Sequence, residues 1–180
     1  MMKRFDSMRS GLFSLLAGMV VFMGAEAHAI PGVSFGIMGG GNLSLPTISA
    51  AGASVSGKVG YSVGPTATLG PVEASLLYSM YSVKTTTLLG TATAESKYLD
   101  IPVLYRLGLD LASIGIGGFF GLCLDSGATS TDNNYGAVAS VRTKLPGTSI
   151  FLDGRFNLGL HDMGGGKNSS LAVLVGYDFL

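Results

Sequence analysis

From about residue 32 onward, apolar and polar residues alternate one by one through eight successive segments, and no apolar run in this region is long enough for a membrane helix. A two-residue period puts successive side chains on opposite faces of an extended chain. A helical span would need ~20 consecutive apolar residues. The chain is therefore expected to be all-β. The segments are Gly32–Gly40, Val55–Leu69, Val72–Tyr81, Tyr98–Gly108, Ser113–Leu124, Tyr135–Lys144, Ser149–Leu160 and Leu171–Leu180. In the third, Val72, Ala74, Leu76, Tyr78 and Met80 oppose Glu73, Ser75, Leu77, Ser79 and Tyr81. In the seventh, Ile150, Leu152, Phe156, Leu158 and Leu160 oppose Phe151, Asp153, Arg155, Asn157 and Gly159.

The connections alternate in length. Gly70-Pro71 and Leu145-Pro146-Gly147-Thr148 are tight-turn sequences. The polar stretches Gly41–Gly52, Lys84–Lys97, Asp125–Asn134 and His161–Ser170 read as long loops. Short turns at one rim and longer loops at the other are the pattern of a membrane-embedded up-and-down barrel with an even strand number.

The N-terminus agrees with export. Lys3, Arg4 and Arg9 precede an apolar run from Leu12 to Met23, and Ala27 and Ala29 stand where a signal peptidase reads small residues. Residues 1–29 are expected to be a cleaved signal peptide and residues 30–180 one domain. Three of the 11 basic and two of the 11 acidic residues fall in the leader, which leaves 8 against 9. No basic field for nucleic acid exists. Cys123 is the only cysteine, so no intrachain disulfide forms in an oxidising compartment, and the single mature histidine, His161, leaves no His-rich metal site. No cofactor is expected.

A soluble sandwich or lipocalin would also alternate, but would turn its apolar face inward. Two features favour the apolar face outward. Tyr61, Tyr78, Tyr105, Tyr135, Phe156 and Tyr177 lie mostly towards strand ends, as an interfacial aromatic girdle does, and the glycines of the polar face suit a narrow interior. This placement sends Lys58, Glu73, Asp100, Arg106, Arg142, Asp153 and Arg155 into the lumen, with Tyr81 and Phe119 as fillers.

Tyr98-Leu99-Asp100-Ile101-Pro102-Val103-Leu104-Tyr105-Arg106 resembles the Tyr-Leu-acid-Ile-Pro-Leu-Leu element of the porin-like outer membrane β-barrel family, relatives of the OmpA and OmpX barrels. In the same order, Ile116-Gly117-Gly118-Phe119-Phe120-Gly121, Gly154-Arg155-Phe156-Asn157-Leu158-Gly159-Leu160 and Val175-Gly176-Tyr177-Asp178-Phe179 resemble its glycine-rich, penultimate and closing strands. The resemblance covers essentially the whole chain after the leader. It implies an eight-stranded antiparallel up-and-down transmembrane β-barrel in the outer membrane of a Gram-negative bacterium. It also implies that Tyr177 and Phe179 are a terminal signal for the barrel-assembly machinery. One departure is that Leu180 follows the closing aromatic residue.

The expected function is a structural or surface-interaction barrel. An eight-stranded lumen is only just wide enough for its own side chains, and buried charges are costly unless paired, so the seven lumenal charges are read as a structural network. A narrow porin-like channel is the alternative reading. A lipid hydrolase using His161, Asp162, Ser169 and Ser170 is a weaker one, because no characteristic spacing surrounds either serine. The expected partners are outer-membrane lipid, the assembly machinery and an unidentified extracellular ligand, with the barrel a monomer.

Overall fold

The computed structural model describes residues 32–48, 53–87, 90–109, 112–126, 133–161 and 166–179. The expected signal peptide, Asp162 and Leu180 lie outside the described residues. Eight antiparallel strands form one closed sheet. They are β1 (Val33–Ile48), β2 (Ala53–Leu69), β3 (Val72–Ser75, continued as Leu77–Thr87), β4 (Gly90–Leu109), β5 (Ala112–Ser126), β6 (Asn134–Lys144), β7 (Ile150–Gly159) and β8 (Gly166–Asp178). The two halves of β3 are one strand, because both pair with β2 and β4 and the intervening Leu76 N donates to Pro65 O at 3.0 Å.

Each strand pairs with the next, and β8 returns to β1 from Gly36↔Asp178 to Ile48↔Gly166. Closure gives nearly every backbone amide a partner in the wall, the condition for crossing hydrocarbon without a helix. The turns nearest the chain ends are short. Gly70 (φ 56°) and Gly147 (φ 73°) adopt the left-handed backbone there, which a side chain would resist.

The opposite rim differs from the expectation of long loops. Strand β1 continues to Ile48, and β3 and β4 run as one hairpin to Thr87 and Gly90. The sequence Lys84–Lys97 reads as a loop because it is polar on both faces, yet its threonines are β-branched and favour extended pairing. Thr86 and Thr91 stand opposite each other, with their hydroxyls 3.4 Å apart. Polarity here marks wall standing clear of the apolar belt.

Irregularities of pairing shape this rim, among them a register shift between Lys97 and Tyr98 in the β4–β5 ladder. Between Lys58↔Ser82 and Tyr61↔Met80, two residues of β2, Val59 and Gly60, pass one of β3, Tyr81, so the strand carries a bulge. Among the described residues, the β1–β2 ladder ends at Leu43↔Val59; above it β1 remains paired with β8 and β2 with β3.

The faces are sorted as the alternation requires. Met38, Leu77, Leu104, Phe119, Val138, Phe151 and Leu174 are buried inside. Phe35, Ile37, Val63, Val103, Leu107, Ile114, Ile116, Phe120, Leu158, Leu171, Val173 and Val175 are exposed outside. The exposed face forms an uncharged apolar belt crossed by every strand. Tyr61 and Tyr78 (ring centroids 6.2 Å apart) lie towards one rim, and Tyr177 and Phe179 (5.6 Å) at the other.

Candidate functional site: the lumen

Strands β3, β4, β6 and β7 carry the charged residues that meet inside, close to the short-turn end. Glu73 follows the Gly70-Pro71 turn by two residues and Asp153 lies early in β7, while Arg106 and Arg142 approach the ends of their strands. Inward parity does the rest: Glu73, Arg106, Arg142, Asp153 and Arg155 are all buried.

The two carboxylates are each shared by three guanidiniums. On Glu73, Arg106 Nε reaches Oε2 at 2.6 Å, Arg142 Nη1 the same oxygen at 2.7 Å, and Arg155 Nη2 reaches Oε1 at 2.7 Å. On Asp153, Oδ2 receives Arg106 Nη2 at 2.8 Å, Arg142 Nη2 at 2.9 Å and Arg155 Nη2 at 3.0 Å. Charge-assisted bonds of this length are the strong class, and guanidinium's planar fork lets one arginine serve two carboxylates. Arg142 also lies over the Phe151 ring, 3.9 Å from its centroid, and Arg155 Nη2 is 3.3 Å from Met38 Sδ. Ionic and apolar fillers thus interlock.

The remaining two of the seven charges lie elsewhere. Asp100 is buried but accepts a 2.7 Å hydrogen bond from the Tyr81 hydroxyl. Lys58 is exposed and its Nζ donates to Thr93 Oγ1 at 3.5 Å. Thr93 shares the outward parity of Lys97 and Leu99 on β4, so Lys58 stands on the outer wall. The bulge beside it is the cause, since a one-residue slip exchanges the faces of a strand.

Alternation had placed Tyr81 and Phe119 inside, and both are buried. Less legible was a band of neutral polar groups towards the far rim. Asn42 Nδ2 donates to Ser62 Oγ at 2.9 Å, and the Ser62 and Ser79 hydroxyls are 2.9 Å apart. These residues share parity with Gly40, Gly60 and Leu77, which is the signal that would have found them. A cavity of about 10 Å³ lies between this band and the arginines, lined among others by Ser79, Tyr81, Asp100, Phe119, Arg155 and Asn157. That is room for about one water molecule.

Of the residues considered for hydrolysis, the described ones hold other contacts. Ser169 and Ser170 are buried, with Ser169 Oγ accepting from Gly159 N at 3.4 Å and Ser170 Oγ from Asn157 Nδ2 at 3.0 Å. His161 packs instead on the Tyr135 ring, centroids 5.3 Å apart. Among the described residues, no cluster of three or more His, Cys, Asp or Glu could hold a metal, and no helix is long and apolar enough to cross a membrane.

The fold has a counterpart among solved structures. Neisserial surface protein A matches with a TM-score of 0.57 at 12% identity, over 82% of this chain and 97% of that one. The fold is that of a small outer-membrane β-barrel. A second match, the translocator domain of autotransporter NalP from Neisseria meningitidis, covers 97% of this chain and 98% of that one, but at TM-score 0.33 and 9% identity it is too distant in shape to bear on the reading. The sequence matches no protein-family model and has no significant match among curated proteins. The outer-membrane barrel therefore rests on strand topology and the sorting of faces.

Proposed function

We propose that this protein is a monomeric, sealed outer-membrane barrel that carries no enzymatic activity and serves as a structural and surface-presenting element of the cell envelope. One observation carries the reading: two buried carboxylates are each held by three buried arginines across the lumen. A water-filled channel lined by charge leaves its charges hydrated, whereas here five charged side chains bond one another and fill the space. The uncharged outer belt supports lipid contact, because a soluble protein rarely leaves so continuous an apolar surface in water.

Two measurements test this. The folded protein should migrate differently before and after boiling on a denaturing gel and should fractionate with the outer membrane, extractable by detergent and not by salt. In planar bilayers it should show no steady conductance. Recovery in the soluble periplasm would remove the membrane reading, and steady ion-selective current from the wild type would replace the sealed barrel with a narrow channel.

A further inference from the structure

One stretch of the outer wall is hollow. On β6 the outward residues Ala137 and Ala139 present only methyl groups, and register sets Ala139 between Ile116 and Phe156 and Ala137 beside Leu158. A trough of about 610 Å³ results, with Tyr105, Ile116, Phe156 and Leu158 along its sides. Small-molecule sites are of this size, roughly 300–1,000 Å³. The two ends of the trough differ in chemistry. Towards the short turns the next outward residue of β6 is Val141, which continues the apolar wall. Towards the long-loop rim it is Tyr135, whose ring packs on His161 with centroids 5.3 Å apart. An apolar trough that ends at a phenol hydroxyl and an imidazole matches an amphiphile, chain and head.

The surroundings narrow the occupant. The trough is continuous with the belt that meets lipid, so hydrocarbon chains are what lies against it. A second barrel fits poorly. A stable protein interface buries roughly 800 Å² on each partner, whereas this hollow is one strand wide, and Tyr105 and Phe156, 51% and 42% exposed, would hold a flat wall away from its floor. A single acyl chain is narrow enough to enter. We infer that the trough is a lipid site: one acyl chain of an outer-leaflet phospholipid lies along Ala137 and Ala139, and its headgroup oxygens accept hydrogen bonds from Tyr135 and His161. Burial of the chain supplies the affinity, and the two donors fix which way the lipid points.

This inference rests on the outer-membrane reading but concerns the wall, so conductance through the lumen does not bear on it. The folded full-length barrel is purified in a non-ionic detergent with added phosphatidylglycerol, and native mass spectrometry reads the lipid kept as detergent is stripped away. The wild type should keep one lipid. Ala139→Phe fills the trough from its floor and should lose that lipid, while Val175→Phe, on the wall of β8, should keep it. Tyr135→Phe combined with His161→Ala should lower the retained fraction, and unchanged retention there would overturn the headgroup contact. No lipid on the wild type, or equal retention after Ala139→Phe, would overturn the site. A wild-type dimer that Ala139→Phe dissociates would overturn it too, by giving the trough to a second copy. Should Ala139→Phe fail to fold, a fluorescence measurement decides, since the chain contains no tryptophan. Bromine-labelled phosphatidylglycerol, added at about one per barrel in detergent, should quench Phe156→Trp more strongly than Val175→Trp; equal quenching refutes the site. Recovery of the protein in the soluble periplasm would remove the membrane reading itself, whereas loss of retention alone removes only this site.

Discussion

Glu73→Gln is the most direct probe of the lumenal cluster. Glu73 touches Arg106, Arg142 and Arg155 at 2.6–2.7 Å. Without its charge Asp153 faces three arginines alone, while the near-equal volume of glutamine keeps the place opposite Leu104 filled. Breaking a buried pair in this way costs about 3–5 kcal/mol. For a domain of this size each kcal/mol moves a thermal midpoint by roughly 2–4 °C, so the drop should be about 6–20 °C. The exposed pair Lys97–Asp125 is the control. It is as short, at 2.8 Å, but its side chains are 40% and 61% exposed, so Asp125→Asn should cost at most about 1 kcal/mol. The assay is the temperature at which the folded gel band converts to the unfolded one, read for both variants in the same detergent. Equal shifts for the two would mean that the cluster is hydrated and replaceable, and the argument for a sealed interior would fail.

Ile116→Arg places a cation on the outer belt at a position 61% exposed. It should reduce refolding into lipid vesicles by about 2–4 kcal/mol if the belt faces lipid, whereas an effect within about 0.5 kcal/mol would mark a water-facing surface. Gly176→Ala should cost about 1–3 kcal/mol by overpacking, because a Cβ there would run into the Phe151 ring, and Phe151→Leu in the same chain should restore part of the loss in thermal midpoint. Phe179→Ala should lower the yield of assembled barrel in cells while leaving refolding in detergent unchanged. Loss in both would show that Phe179 acts through stability and not through assembly. Lys58→Met should leave the thermal midpoint within a few degrees of wild type, since Lys58 is exposed and outside the cluster; a drop as large as that of Glu73→Gln would place it back inside.

How much of this was legible in the sequence follows from what period two can and cannot encode. Strand β6 was read as Tyr135–Lys144 and observed as Asn134–Lys144, and β7 as Ser149–Leu160 against Ile150–Gly159, because both alternate without interruption between clear turn signals. The inward parity of Glu73, Arg106, Arg142, Asp153 and Arg155 came from the same rule. Lys58 did not follow it, since a bulge is a matter of register against a neighbour and leaves no mark on the strand's own pattern. The tall hairpin of β3 and β4 was hidden for another reason: above the apolar belt both faces are wet, so Thr85–Ala94 loses the contrast that reveals a strand. Asp100 was legible as lumenal, but its separation from the arginines depends on strand stagger, which alternation does not carry.

The ending of the β1–β2 ladder at Leu43↔Val59 has a consequence for life in a crowded envelope. A closed barrel has no edge to offer, yet above this point the β1 and β2 stretches leave their ladder with each other and stay together by packing, Gly57 lying directly against the backbone of Ser44. Such stretches invite a foreign strand to add itself. Both carry features that discourage it. Pro46 lies in the β1 stretch and has no amide hydrogen to donate, and the β2 stretch ends in a bulge with the positively charged Lys58 beside it. The seam thus drops ladder pairing for a few residues without a gap beside Gly57, and stays a poor template for fibre growth.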